Sequence, residues 1–514
     1  MASAKCDKVF CGTFVHSSNE NLMQILMNKA IGVDSSGKII FFDDESRIVD
    51  LQEKFSFTTD QVTYLSGREY IIPGFVDTHI HAPQYIFTGT GYDLPLLGWL
   101  EKYTFPSEAK FKDVDFAKMA YRKAVERTLK NGTTTASYFA TIHYDACTVL
   151  CDLVEELGQR AYIGKVCMDR NAPEFYVEST RRSVEDTERF IKYVLAKNDS
   201  LITPVITPRF VITCSEELMK GLGQLAQKYQ LPIQSHLSEN LREIREVNAM
   251  HPDSLNYTNL YKEMGLLTEK TYMAHCCHVS LDEVKMLSEC KTSVAHCPMS
   301  NFDIRSGVAD VKLLTDHGID VGLGTDIAGG HSPSMLSAIH MAIVASNTIQ
   351  FTRGDDYKPI SYKEAFYMAT LGGSKVLGLD NVIGNFIVGK QFDALLIDTG
   401  AKDSPFDVFE DDSIEDLVQK FCILEMTATS RSHYHHNDGD DVDEHGDDDG
   451  DDVDEHVDDV DEHGDVDVDK HGDDDVDEHG DDVDGDEHDG DDDDVDEHGG
   501  DDDDVDEHGD GNDD

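Results

Sequence analysis

The sequence predicts an α/β fold: a closed (β/α)8 TIM-like barrel with a small β-sandwich domain built from both chain ends, plus a disordered acidic C-terminal tail. Three observations predict it. Between Phe75 and about Thr348, short β-rich runs and helical stretches alternate through eight units, the pattern of a parallel sheet with helices on its outside. Further short strands lie before and after that region, too few at either end to bury a core alone. Beyond Ser430 the text collapses to variations on D-V-D-E-H-G. The expected division is residues 1–70 and 381–430 for the small β-domain, 71–380 for the barrel and 431–514 for the tail.

The N-terminal strands are read at Lys8–Val15, Lys29–Val33 and Lys38–Asp43, with Ser35-Ser36-Gly37 as a turn signal. The barrel opens at IIPGFVDTHIHAPQ (Ile71–Gln84), where two apolar residues enter a Pro-Gly turn and Phe75–His81 follows as a strand. The remaining strands are read at Thr133–Phe139, Ala161–Met168, Ile202–Phe210, Pro232–His236, Thr271–His275, Thr292–His296 and Ile319–Gly324. Helices fall at Val114–Lys130, Ala146–Leu157, Ser183–Ala196, Ser215–Lys228, Leu241–Met250, Ser280–Glu289, Val308–His317 and Pro333–Thr348. Several open on capping residues, Ser215 and Ser280 among them. An open doubly wound sheet is the alternative, but no G-x-G-x-x-G follows any of these strands. A helix over Ser361–Ala369 is expected to stop at Gly372-Gly373. Strands at Phe386–Val388 and Ala394–Ile397 then return to partner the N-terminal ones.

Charge is distributed unevenly. The formal net charge is −60, yet 45 of the 103 acidic residues lie from His433 onward against one basic residue. The body of the chain is therefore only mildly acidic, and it carries no basic nucleic-acid footprint. The tail lacks the apolar content to offset chain entropy, so it is expected to be disordered. Its Asp/Glu/His clusters have a functional reading as weak cation sites, and a plainer one as a solvated tail. The N-terminus has no apolar signal core, and no stretch approaches the length of a membrane span. Eleven cysteines at irregular spacing contain no C-x-x-C pair, which fits reduced thiols and a cytoplasmic enzyme.

In a strand, side chains alternate sides, so His79 and His81 project together while Ile80 points away. Two such imidazoles make a pair of metal ligands, or merely two hydrogen-bonded histidines in a half-buried strand. In a barrel of this kind, chemistry belongs at the C-terminal strand ends. Those ends carry His79 and His81 on the first strand, His236 on the fifth, His275 on the sixth and Asp326 just past the eighth. Each alone has an ordinary reading as a core histidine or loop aspartate. Three of these four imidazoles with the carboxylate suit Zn²⁺ or Fe²⁺ and leave a position open for water. Glu239, three residues after His236, is a candidate proton carrier beside such a metal. It is equally a helix N-terminal acid favoured by the helix dipole. His296, ending the seventh strand, is left to packing or indirect support.

These motifs carry a resemblance. PGFVDTHIH, SHLSEN, MAH, AHCPMSN and GLGTD resemble the metal-dependent amidohydrolase superfamily, in its order along the chain. More narrowly, HIHAPQY, DLPLLGWLEKYTFP, NGTTTASYFATIH, TPRF and GTDIAGG resemble the guanine deaminase family from about Gly12 to Phe421. The resemblance implies one zinc per subunit, bound by His79, His81, His236 and Asp326. It implies that His275 orients the attacked group and that Glu239 shuttles protons with Asp326. Gln84, Arg209 and Phe210 would hold the purine beside His81, His236, Glu239, His275 and Asp326, with Arg209 donating to a carbonyl oxygen. For Arg209 the plainer reading is a surface ion pair, and for Phe210 a core side chain. The implied reaction is hydrolysis of guanine to xanthine and ammonia by a cytosolic homodimer, with no nucleic-acid or membrane partner. The H-x-E with P-C-x-x-C signature of nucleic-acid deaminases is absent.

Dinuclear members bridge two metals with a modified lysine. Here strand four carries Arg209 and no lysine, while Lys165 on strand three is expected to pair charge, so one metal is implied. The resemblance fails at the end, where CILEMTATSRSHYHH and the repeat replace a last strand of the small domain. An unpaired sheet edge is the expected consequence. Two further readings are a relative acting on another amino- or chloro-substituted ring, and an inactive scaffold whose tail binds cations.

Overall fold

Strand formation in the barrel follows from burial on both faces. In the computed structural model, which describes residues 5–401, 406–424 and 430–433, every residue of Phe75–His81 and Thr133–Phe139 is buried. That is the signature of a parallel sheet covered by helices outside and packed side chains inside. The described strands run in order as Phe75–His81, Thr133–Phe139, Arg160–Gly164 with Val166–Cys167, Ile202–Pro204 with Thr207–Pro208, Ile233–Leu237, Thr271–His275, Ser293–His296 and Val321–Leu323. Consecutive strands pair in parallel, and Ile206 bridges the fourth to Ile233 of the fifth. The fourth strand is broken where Pro204 and Pro208 withdraw ladder donors. Closure comes between the ends of the series: the Asp326 N–H donates to the His79 carbonyl (2.9 Å) and the Thr78 hydroxyl to the Leu323 carbonyl (2.9 Å).

The connecting helices lie close to their predicted positions, Val114–Lys130 and Leu241–Met250 with unchanged bounds. Their ends are set by local chemistry. Ser179 and Ser215 cap Thr180–Lys197 and Glu216–Tyr229, and Asn240 with Glu243 forms a capping box on Leu241–Met250.

Strands from both chain ends form one seven-stranded sheet among the described residues, in place of the expected two-sheet sandwich. Cys6–His16 pairs with Gln24–Asp34, with Val62–Tyr64 and with Glu69–Pro73; Glu69–Pro73 in turn pairs with Ala394–Asp398. Period-two alternation gives each face its own packing. Phe10 and Phe14 join one cluster with Ile71, Ala394 and Leu396, while Val9 and Cys11 join another with Phe41 and Leu51. Tyr70, Ile72, Leu395 and Ile397 point the other way, into the barrel core.

Four expectations are corrected. Phe386–Val388 is not a strand; the Phe386 N–H instead donates to His16 Nδ1 at 3.0 Å, and nearby backbone closes on Ile39. The helix does not stop at Gly372-Gly373: Tyr362–Tyr367 runs through a wider turn, Met368–Gly372, into Gly373–Val376. The sheet edge at Ala394–Asp398 is not bare, because Ser430–His433 pairs with it antiparallel. Segments read only as connection, Val62–Tyr64 and Glu69–Pro73, are strands. The repeat tail, residues 434–514, lies outside the described residues. All eleven cysteines are free thiols, and among the described residues no helix is long and apolar enough to cross a membrane.

Candidate active site

The barrel brings the predicted strand-end residues together at its C-terminal mouth. His79 and His81 share a face of the first strand, their rings 5.0 Å apart and nearly perpendicular. Asp326 Oδ1 lies 3.1 Å from His79 Nε2 and 3.5 Å from His81 Nε2. His236 Nε2 faces His81 Nε2 at 3.2 Å. His236 Nδ1 is 2.7 Å from the Arg209 carbonyl, so Nδ1 carries the proton and Nε2 turns a lone pair inward. His275 Nε2 lies 3.7 Å from Asp326 Oδ2, and its Nδ1 meets Asn301 Oδ1 at 2.9 Å. His275, Cys276 and Asp326 all hold positive φ, a costly conformation for residues other than glycine and one that tight packing at a site sustains.

The donor atoms of His79, His236 and His275, and those of His79, His81 and Asp326, lie within 4.8 Å of one another. Burial pushes the His81 and His236 imidazoles well below their ordinary pKa, so they stay neutral lone-pair donors. Burial would raise the Asp326 carboxyl, but the imidazoles of His79, His275 and His81 hold it far below the carboxylate range. The Nε2 atoms of His79 and His275 are buried without a hydrogen-bond partner. Neutral nitrogens, an ionised carboxylate and inward-facing orphan atoms fit a divalent cation such as zinc or iron.

Beside this cluster a cavity opens, walled by Gln84, Arg209, Phe210 and Glu239, with Leu96, Trp99, Leu100 and Ile304 as its apolar side. Glu239 is buried. Its Oε1 accepts from Ser306 Oγ at 2.7 Å, and its Oε2 faces His275 Nε2 at 3.5 Å. Burial raises its pKa. Arg209, 2 % exposed, is gripped by both oxygens of Glu108 at 2.8 and 3.1 Å. Gln84 donates to Glu108 through Nε2 (2.9 Å) and accepts the Ala328 N–H at Oε1 (3.2 Å).

The Amidohydrolase family profile matches residues 70–428, barrel and His/Asp cluster included. The chain belongs to the amidohydrolase family. Within it, the chain is 47% identical over 434 residues to guanine deaminase of Dictyostelium discoideum, covering 82% of this chain and 96% of that one. It is 48% identical over 422 residues to guanine deaminase of Homo sapiens, covering 81% and 92%. A crystal structure of guanine deaminase from C. acetobutylicum with bound guanine superposes with a TM-score of 0.78 at 37% identity, covering 84% of this chain and 98% of that one. These place the chain with the guanine deaminases of the family. The chemistry of such amidohydrolases is metal-dependent, and the His/Asp cluster is the group that could hold the ion.

Every site residue read from this amidohydrolase's sequence belongs to the cluster or lines its cavity, Phe210 included, its ring edge-on to that of His236 with centroids 6.4 Å apart. Arg209 is ion-paired as its plainer reading held, but the pair is buried rather than on the surface. Lys165 pairs with Glu178 at 2.6 Å. His296 is fully buried and offers its carbonyl to the Gly324 N–H, with neither ring nitrogen bonded.

Sequence reading missed Glu108, Asn301, Ser306 and Asp77. Asp77 accepts from the backbone of His79 and Thr325 (3.1 Å each) and from Thr325 Oγ1 (2.5 Å). It thereby ties the first strand to the eighth just below both sets of metal-facing residues. Asn301 sits in AHCPMSN and Asp77 in PGFVDTHIH, so motif membership was the available signal for those two. Glu108 and Ser306 carried none.

Proposed function

We propose that this amidohydrolase hydrolyses guanine to xanthine and ammonia, with one zinc per subunit held by His79, His81, His236 and Asp326. The observation that carries the reading is a single cavity with the His/Asp cluster at one end and the Arg209–Gln84 polar wall at the other. A metal bound there supplies a Lewis acid that brings the pKa of water toward neutrality.

The chain's own residues do the rest. Arg209 donates to the purine carbonyl, Gln84 fixes the ring in its plane, and Phe210 supplies apolar contact. His275, held by Asn301, points Nε2 at the attacked centre. The Asp326 carboxylate takes the proton of the water that adds to the amino-bearing carbon. Glu239, raised by burial and hence able to hold a proton, delivers it to the ring nitrogen and takes up the hydroxyl proton as the intermediate collapses, while Asp326 passes the proton it took to the departing amino group. The C–N bond breaks, ammonia leaves, and the carbonyl of xanthine remains. Leu96, Trp99 and Leu100 limit water at the cavity. We further read the chain as a barrel (71–380) with a two-ended β-domain (1–70 with 381–430), in a cytosolic homodimer.

The test is loss of guanine absorbance with purified full-length protein beside Glu239→Gln, with metal content measured on both. Turnover by the wild type and a fall in kcat of ~10²–10⁴ in a variant that keeps its zinc is expected. A folded, zinc-loaded wild type that leaves guanine untouched rejects the substrate and shifts weight to another ring.

A further inference from the structure

Glu108 is a buried carboxylate beside this site that no step above uses. It lies on the short helix Phe105–Ala109, and its side chain is 0% exposed. Four donors from three other parts of the chain converge on it. Oε1 accepts from Gln84 Nε2 (2.9 Å) and Arg209 Nη2 (3.1 Å); Oε2 accepts from Arg209 Nη1 (2.8 Å) and Tyr176 OH (2.6 Å). Both of its oxygens are thus committed, and Glu108 does not line the cavity.

The clamp has two consequences. The first is geometric: it spends two of the five guanidinium N–H groups and fixes the amide of Gln84, leaving the other guanidinium N–H groups to be aimed at a ligand. The second is electrostatic. A buried, unpaired guanidinium attracts anions strongly, because little solvent screens it. Paired with Glu108, Arg209 remains a hydrogen-bond donor but presents no net charge. The other titratable groups around the pair do not alter this near neutral pH. Burial keeps the Tyr121 and Tyr176 phenols protonated and pushes His143 down to about 4.

We propose that Glu108 is a positioning residue that sets specificity: by cancelling the charge of Arg209, it makes the cavity select an uncharged ring carbonyl and discriminate against purine anions. This rests on the guanine reading above. There it has a direct use, since xanthine is more acidic than guanine and ionises near neutrality, so the clamp would disfavour retention of the product.

The test compares inhibition constants of xanthine and hypoxanthine against guanine turnover, below and above the pKa of xanthine, in wild type and Glu108→Gln. Hypoxanthine stays largely neutral over that range, so the ratio of the two constants cancels titration of the site itself. In the wild type the ratio of xanthine to hypoxanthine constants should rise as xanthine ionises. In Glu108→Gln it should fall ~10-fold or more below the wild-type value on the alkaline side only, as expected for one uncompensated buried charge. The double variant Glu108→Gln with Arg209→Gln should bind both purines weakly and regain the wild-type trend. An unchanged ratio in Glu108→Gln on both sides overturns the proposal. Should that variant fail to fold, Glu108→Asp keeps the charge and loosens the fork. It should raise KM for guanine ~10-fold with kcat and the inhibitor ratio nearly unchanged, and a kcat loss at constant KM overturns the proposal. A wild type that neither turns over guanine nor binds either purine fails the substrate reading instead.

Discussion

Glu239 has two carboxylate oxygens, and the fold treats them differently. Oε1 accepts the Ser306 hydroxyl at 2.7 Å, while Oε2 faces His275 and the cavity. Its backbone N–H is held by Glu243 at 2.9 Å, and Glu243 is itself held by Tyr257 at 2.7 Å. One oxygen is thus anchored, which on the proposed mechanism leaves the other to carry the proton. Ser306→Ala should leave metal content and KM close to wild type and lower kcat ~10-fold, the worth of one hydrogen bond to a charged group; steady-state kinetics with metal analysis check it. An unchanged kcat would mean that Glu243 alone fixes the geometry. The His/Asp cluster was legible in the sequence because strand ends are legible: period two put His79 and His81 on one side, and the barrel rule pointed to His236, His275 and Asp326. Ser306 and Glu108 were not, because their meaning lies in contacts 67 and 101 residues away along the chain. A buried acid and a loop serine look like any others until the fold brings their partners to them.

Among the elements, the run Tyr362–Val376 shows how local chemistry can mislead. Gly372-Gly373 reads as a helix stop, since glycine gives up most entropy when held in a helix. Both glycines nevertheless sit inside the helical run, against the barrel strands. A Cβ on Gly373 would lie 2.9 Å from Val76 Cβ, and one on Gly372 would lie 3.0 Å from the Val321 carbonyl. Close approach to the first and eighth strands, which carry His79 and lead to Asp326, is what excludes a side chain there. Gly373→Ala should therefore destabilise by about 1–3 kcal/mol despite its better helix propensity. Thermal unfolding should show a Tm lowered by several degrees, and a raised Tm would mean that propensity outweighs packing. The same limit explains the other misread elements. Phe386–Val388 has strand-forming residues but spends its backbone on a turn against His16 and Ile39. Val62–Tyr64 and Glu69–Pro73 are too short for a periodic signal and are strands because Cys6–His16 and, for Glu69–Pro73, Ala394–Asp398 offer them an edge. Long, capped helices and the β-rich runs set between them were readable; elements decided by a distant neighbour were not.

At the scale of the whole molecule, the N-terminal strand and the segment leading to Ala394–Asp398 meet at one histidine. His16 ends the first strand and is 6 % exposed; its Nδ1 accepts the Phe386 N–H at 3.0 Å, and its ring stacks on Phe386 with centroids 5.7 Å apart. The adjoining Asn385 donates to the Ser17 carbonyl at 2.9 Å. This joint precedes the Ala394–Asp398 strand, which lies between the N-terminal sheet and the barrel core, so its integrity bears on both. An accepting Nδ1 cannot carry a proton, and Lys390 adds a like charge nearby. Burial first, then that charge, pushes the imidazole from 6.5 down to about 4. The sign follows directly. Between these values the unfolded chain binds a proton that the folded chain refuses, so stability present above about 6.5 is lost as pH falls toward about 4. The loss amounts to about 3 kcal/mol at roughly 1.4 kcal/mol per pH unit. His16→Asn keeps an acceptor for the Phe386 N–H and has no proton to gain. Its Tm should sit below wild type near neutrality, because ring packing is lost. The gap should narrow steadily as pH falls through that window, whereas a gap constant with pH would show that His16 titrates as an ordinary imidazole and that acid acts elsewhere in the fold.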